Sequence, residues 1–485
     1  MGPLSRRNAL LLGGFGTAAI AVGGAGLWWT LSSRFSPVPG GDFTEPEQLR
    51  GSNGRLQVRL EASPGSVQLG GQQASALAYN GGVPGPTLRV RAGDVLDIEL
   101  VNSMAVPTNL HVHGLHVSPQ GNGDNVFNVV QPGHSFSYEY RLPADHPPGV
   151  YWYHPHLHGM VADQIFAGLF GAIIVEDAQP VDVSRERVMV VSDITLDGSG
   201  TVTDASPMDR MLGREGEFVL VNGQSNPKLS ARPGERERWR IVNTCVSRYL
   251  RLRLDGQQMQ LLGMDSGRFP TPRNADEVLL APGNRADVLV TAVEGDATLG
   301  AVYYNRGSMA AMMGPAEPAP SDGQGTGDLV LATLSVSGAP AASPPAVPSR
   351  PAAADLRTAA VAAHRQVTLA VGGMGMGMMS FTINGRGFNA SRTDTTVAAQ
   401  TVEEWTLINP SPMDHPFHLH VWPMQIVEER GQTPGQPVWR DVVNIPANGQ
   451  VRVRINFTDF TGRSVYHCHI LDHEDQGMMG VIEVR

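Results

Sequence analysis

Residues 92–114 read AGDVLDIELVNSMAVPTNLHVHG, and two later stretches repeat the plan: PGERERWRIVNTCVSRYLRLRLDG at 233–256 and AQTVEEWTLINPSPMDHPFHLHVW at 399–422. Each opens on a polar turn, runs as an alternating strand, reaches an asparagine, loops and starts a second strand. Alternation of apolar and polar residues sends one side-chain face inward and the other outward, because the side-chain period of a strand is two. Asn102, Asn243 and Asn409 stand about 140 to 165 residues apart, the length of one β-sandwich domain. The companion segments QPGHSFSYEYRLP, APGNRADVLVTA and PANGQVRVRINF come later in each unit. Many further short alternating runs are punctuated by 56 glycines and 36 prolines, and no long amphipathic helical stretch interrupts them. The chain therefore reads as all-β, with three consecutive Greek-key β-sandwich domains.

Working outward, the first unit closes after GLFGAIIVEDA and the second after LVLATLSVSG, while GAPAASPPAVPSRPAAAD reads as a stiff Pro/Ala-rich linker. The expected division is a leader at 1–40, domains at 41–178 and 179–337, a linker at 338–358 and a third domain at 359–485. The leader carries Ser5-Arg6-Arg7 and then an uncharged run from Asn8 to Ser33, which resembles a twin-arginine export signal. That run is about long enough to cross a bilayer, and no clean cleavage site precedes Trp28 and Trp29. Cleavage and retention as an N-terminal membrane anchor both stay open. In either case the twin-arginine export machinery is an expected partner, and the protein is expected to be exported: periplasmic, envelope-anchored or extracellular. A formal net charge of −10 without a basic patch disfavours nucleic-acid binding. A monomer is expected.

The chemistry concentrates near the C-terminus, where 467–478 reads HCHILDHEDQGM. On a strand, His467 and His469 point one way and Cys468 the other. Cys468, His473 and Met478 offer a thiolate, an imidazole and a long axial thioether, the donor set of a blue-copper centre that lacks only a second histidine. Three more His-X-His pairs occur: His111 with His113, His154 with His156, and His418 with His420. Eight imidazoles in four clamps suit several metal ions rather than one. His415 lies three residues before His418, an odd offset that turns it to the face opposite that clamp. From Gly159 to Ala363 there is no histidine, so the middle third is built without such ligands. His116 and His158 beside the motifs read as supporting residues, and His134, His146 and His364 as surface residues. Cys245 has no partner for a disulfide if Cys468 binds metal, and reads as an inert buried thiol.

In order and wording the four motifs resemble the multicopper oxidases, most closely bacterial three-domain laccases and copper-efflux oxidases, over roughly residues 50 to 485. The resemblance implies cupredoxin-like domains and four copper ions. It implies a type 1 copper on His415, Cys468, His473 and axial Met478, and a type 2 copper on His111 and His418. The type 3 pair falls to His113, His154, His156, His420, His467 and His469, which sets the cluster between the first and third domains. Where the family usually has His-Trp-His-Gly, Val112 stands between His111 and His113. Glu474 and Asp124 are implied as proton-delivering acids, with solvated loop carboxylates as the alternative.

The activity so implied is one-electron oxidation of a donor coupled to four-electron reduction of dioxygen to water. Phenols and arylamines are one donor class and Cu(I) the other. Met309, Met312 and Met313, with Met374, Met376, Met378 and Met379, lie in Gly-rich stretches whose thioethers suit Cu(I); core packing is the alternative. Met413 matches a position that lines the substrate-copper site of copper-efflux oxidases. A copper nitrite reductase, or a non-catalytic periplasmic copper store or electron carrier, are the rival readings; neither explains four oriented His-X-His pairs.

Overall fold

The protein is described by a computed structural model over residues 35–307, 327–374 and 378–485. The three repeated segments form equivalent strands, Val95–Asn102, Arg236–Asn243 and Val402–Asn409. Each has one parallel neighbour, Arg55–Leu69, Arg185–Ile194 or Ala363–Met374. Each also has one antiparallel neighbour, Ser135–Arg141, Arg285–Thr291 or Gly449–Asn456, drawn from the companion segments. Parallel neighbours require a crossover rather than a hairpin, which gives each sandwich its Greek-key winding. In Val95–Asn102, Leu96, Ile98 and Leu100 are wholly buried, while Asp97 and Glu99 pair outside with Arg55 and Arg59. Burial stabilises by about 1.5–3 kcal/mol per large apolar side chain. An exposed ion pair adds at most about 1 kcal/mol. The inward face therefore sets the register.

The recurring asparagine is a corner tie. The Asn102 side-chain amide donates to the carbonyls of Val106 and Val130, both at 2.9 Å, and its oxygen accepts the N–H of Met104 at 3.0 Å. Asn243 does the same with Arg248, Leu280 and Cys245, and Asn409 with Met413, Ile445 and Ser411. All three are buried. Asn243→Ala is expected to lower stability by about 2–4 kcal/mol, since it strands two carbonyls and one N–H away from water, with metal content per folded chain unchanged. Denaturant titration alongside copper analysis checks this.

Among the described residues the strands make six sheets, two per domain. Between the paired sheets lie three apolar cores, centred on Leu60 and Ile98, on Trp239 and Val288, and on Trp405 and Val453. A fourth joins Trp152 and Phe166 of the first domain to Val188 and Val242 of the second and Leu471 of the third. The α-helices among the described residues are short, Val161–Phe166, Pro207–Leu212 and Leu471–Asp475. No helix among the described residues is long and apolar enough to cross a membrane.

The Ser5-to-Ser33 signal lies outside the described residues. The end of the expected leader does not: Phe35 is buried beside Val67, and the Val38 N–H donates to the Gly70 carbonyl at 2.6 Å. The Pro/Ala-rich stretch runs along the middle domain, with the N–H groups of Ala341 and Arg350 donating to the carbonyls of Pro233 and Pro270 at 2.7 and 2.8 Å. His134 and His364 are exposed as expected. His146 is not: it is buried, its Nδ1 on the Pro147 carbonyl at 3.0 Å and its Nε2 accepting the His116 N–H at 3.0 Å. One adjacent and one distant backbone partner replace the water that a surface histidine would otherwise need. Cys245 is buried, as expected.

Candidate metal centre

Two strand pairs face each other across the boundary between the first and third domains. In the first domain His111–His113 pairs with Gly149–His154, setting His111 opposite His154. In the third His415–Leu419 pairs with Gly462–Cys468, setting His418 opposite His467 and Phe417 opposite Cys468. His156, His420 and His469 stand one or two residues past their strand ends, so three of the four clamps straddle the end of a ladder. The eight clamp imidazoles are all buried and come together in one place. His113 stacks on His418 with ring centres 3.9 Å apart, and His111 on His420 at 3.8 Å. Each stack takes one ring from each domain.

A neutral imidazole has one N–H and one lone pair, and in five of the eight rings the nitrogen turned away from the centre is already engaged. His111 Nδ1 faces Asp124 at 2.9 Å, His418 Nδ1 the Asp441 carbonyl at 2.8 Å, and His154 Nδ1 the Pro155 carbonyl at 2.8 Å. His467 Nδ1 faces the Cys468 carbonyl at 2.9 Å, and His113 Nε2 the Asp441 carboxylate at 3.2 Å. The inward nitrogens of these five rings are therefore left with lone pairs, while the outer Nδ1 atoms of His156 and His420 have no hydrogen-bond partner among the described residues. His156 Nε2, His420 Nε2 and His467 Nε2 lie 3.0 to 3.1 Å from one another, the spacing of nitrogens that share one ion at about 2.0–2.1 Å. His113 Nδ1 and His154 Nε2 are 3.5 Å apart, with the His469 ring beside them. His111 Nε2, His418 Nε2 and both nitrogens of His469 have no hydrogen-bond partner among the described residues.

Burial, foremost, and then the neighbouring imidazoles push these histidines below their usual range, to about 3 for His154 and, with burial alone lowering it, to about 4 for His467. They are neutral, as metal ligands must be. Convergent lone pairs with no proton between them repel unless a cation is shared, and imidazole with thiolate suits copper. The donor set fits.

On the other face of the same strands, His415 Nδ1 lies 3.4 Å and His473 Nδ1 4.0 Å from Cys468 Sγ. Their outer nitrogens rest on Ser411 Oγ at 2.8 Å and the Met211 carbonyl at 3.1 Å. Met478 is wholly buried in the same apolar cluster, and its carbonyl accepts the Cys468 N–H at 3.0 Å. Burial raises the Cys468 thiol far above its usual range, so only a bound cation would keep it as thiolate.

Asp124 and Glu474 are not solvated loop residues. Asp124 is buried behind His111, with its second oxygen 3.9 Å from His420 Nδ1. Glu474 is buried 3.2 Å from His467 Nδ1 and 3.7 Å from His156 Nδ1. Each carboxyl thus backs one imidazole from each domain. Burial pushes Asp124 up to about 8 and Glu474 well above the usual carboxylate range. Met413 is wholly buried in the third core. Met309, Met312, Met313 and Met376 lie outside the described residues, as do the side chains of Met374 and Met378; Met379 packs against the third core.

Two residues next to the cluster were not singled out in the sequence. Asp441 touches His113 with its side chain and His418 with its backbone, and Arg285 of the middle domain pairs with it. Neither belongs to a histidine motif.

Family profiles described as multicopper oxidase match residues 61–180, 185–328 and 358–485. The chain belongs to the multicopper oxidases, a family that binds copper. It is similar to a solved structure, "Multicopper oxidase from Campylobacter jejuni: a metallo-oxidase", with a TM-score of 0.80 and 30% identity over 92% of this chain and 96% of that one. It is 27% identical over 450 residues to the multicopper oxidase mco of Staphylococcus haemolyticus, covering 90% of each chain. It is also 25% identical over 480 residues to the cell division protein FtsP of Proteus mirabilis, covering 95% and 97%. Proteins so alike go by different functions in their names, so the particular function rests on the site.

Proposed function

We propose that the protein is a laccase-like oxidase holding four copper ions, with dioxygen as acceptor and phenols, arylamines or Cu(I) as donor. His415, Cys468, His473 and Met478 would hold the type 1 ion, and His111 and His418 the type 2 ion. Of the type 3 pair, one would be held by His113, His154 and His469 and the other by His156, His420 and His467. Bound copper would supply one-electron acceptance at the thiolate and reduction of dioxygen to water at the three-ion site. The carrying observation is that one strand end presents Cys468 to His415 and His473 while its neighbours His467 and His469 join six imidazoles from elsewhere.

The chain's own part is positional. The Cys468 backbone links directly to both flanking histidines, giving a two-residue covalent path between the sites. Asp124 and Glu474, buried and raised toward protonation, are placed to hold protons beside His111 and His467. Four protons must enter for each dioxygen reduced. On the donor side, the Met211 carbonyl covers His473 Nε2, and Met208 on the same short helix is half exposed. Export by the twin-arginine route would deliver the protein folded, which suits a site spanning two domains.

Copper analysis and oxygen uptake test the reading. Close to four copper ions per chain, with oxygen consumed on adding Cu(I) or a phenol, is expected. A single tightly held copper would point instead to a carrier or store, and nitrite consumption without oxygen uptake to a nitrite reductase.

A further inference from the structure

The guanidinium of Arg285 stands where the three domains meet behind the histidine cluster, and it is wholly buried. It belongs to the middle domain, which contributes no histidine to the site. Its Nε donates to the Val150 carbonyl of the first domain at 2.9 Å. Its Nη2 donates to Asp441 Oδ2 of the third domain at 2.7 Å, and its Nη1 pairs with Asp441 Oδ1. Within its own domain Nη1 also faces Asp265 at 3.4 Å. A planar fork of this kind fixes a carboxylate in orientation as well as in position.

Asp441, so held, governs two rings. Its Oδ1 lies 3.2 Å from His113 Nε2 and its backbone carbonyl 2.8 Å from His418 Nδ1. A carboxylate only accepts, so His113 presents Nε2–H outward and leaves its Nδ1 lone pair facing His154 Nε2 at 3.5 Å. The surroundings leave no slack. A Cβ added at Gly114, next to His113, would fall 2.8 Å from Asp441 Oδ2 and against the guanidinium. One added at Gly283, two residues before Arg285, would fall 2.7 Å from His469 Nε2.

Resting on the function proposed above, we infer that Arg285 is a positioning residue of the three-ion site: by anchoring Asp441 it sets the ring and tautomer of His113 and the ring of His418. The domain without ligands is thereby part of the metal centre. Without the fork, Asp441 keeps no cationic side chain beside it among the described residues and is free to turn from His113. Partners one step behind a ligand typically change metal affinity by a factor of about 10–100.

The test uses the copper-loaded full chain as wild type, Arg285→Ala, Arg285→Lys and Arg238→Ala. Arg238 is equally buried in the same domain, paired with Asp287 and Asp177 and with no hydrogen bond or ion pair to the histidines. Copper retained at graded chelator concentrations is read together with the blue thiolate band and the near-ultraviolet band of the coupled pair. Arg285→Ala is expected to release cluster copper at roughly 10- to 100-fold lower chelator concentration while the blue band persists. The lysine variant falls between it and the wild type, and Arg238→Ala retains cluster copper as the wild type does even where it melts earlier. The inference is overturned if both Arg285 variants hold cluster copper like the wild type, or lose it only in step with the blue band. If the alanine variant does not fold, the lysine variant decides by the same criteria. A wild type that takes up one copper and shows no near-ultraviolet band would instead sink the proposed function, and this inference with it.

Discussion

Replacing Cys468 by serine is expected to abolish the blue band, remove one copper per chain and reduce donor oxidation to the level of the metal-free protein. The sulfur lies 3.4 Å from His415 Nδ1 and 4.0 Å from His473 Nδ1, in a cluster closed to solvent. Its proton is hard to remove there because burial disfavours the thiolate, so the site is poised for a cation to displace that proton. A hydroxyl is a hard, far weaker acid and does not take over the role. Structure should survive the change. Serine is slightly smaller and can accept the Ile470 N–H that now points at Sγ from 3.4 Å, so the stability cost is no more than about 1–2 kcal/mol. His467 and His469 keep their neighbours, and cluster copper should stay bound. Cys245→Ser is the matched control: an equally buried thiol with no imidazole in hydrogen-bond reach, whose loss should leave the spectrum unchanged. A blue band surviving in the Cys468 variant, in the face of copper analysis, would refute the type 1 assignment.

Removing Arg214 should lower stability by about 3–5 kcal/mol, because it leaves a buried carboxylate without its cation. Arg214, from the middle domain, grips Asp472 of the third through Nε at 3.0 Å and Nη2 at 2.6 Å, and reaches Asp163 of the first at 2.7 Å. Asp472 is 1% exposed, so no water replaces the lost partner. The short helix Leu471–Asp475 that carries it also carries His473 and Glu474, and Asp475 binds it to the first domain by accepting the N–H groups of Gly159 and Ala162 at 2.7 and 2.8 Å. Arg214→Ala therefore loosens a segment on which both proposed metal sites depend. Calorimetry should show a midpoint lower by several degrees, and the blue band should bleach before global unfolding. Arg59→Ala, which breaks an ion pair exposed on both sides, should change stability by less than about 1 kcal/mol. Equal effects from the two substitutions would contradict the account.

Much of this was legible in the linear chain for a local reason. Strand parity is a property of neighbours, so HVH, HPFHLH and HCHILDH declare which rings share a face and that Cys468 and His415 oppose their companions. The recurring asparagines were equally legible as a repeat, although their work as corner ties emerged only with the carbonyls of Val130, Leu280 and Ile445, which are 28 to 37 residues away. Where reading by segment went astray, the partner was out of view. His146 read as a surface residue because the His116 N–H that satisfies it belongs to another turn, and the solvated alternative for Glu474 stayed open because the rings that bury it include His156, more than three hundred residues earlier.

By itself, then, the order of residues determined three sandwiches, two groups of soft and imidazole donors, and their division between the first and last domains, since periodicity and spacing act within a few residues. Tertiary structure alone decided what stands behind those donors: Asp124 and Glu474 each between rings of two domains, the Met211 carbonyl over His473, and Arg285 reaching from a domain empty of ligands to hold Asp441. Those of the contacts that cross between domains join residues 156 or more positions apart, and no periodicity in a chain encodes which of its charged side chains will be buried against one another when separate cores dock.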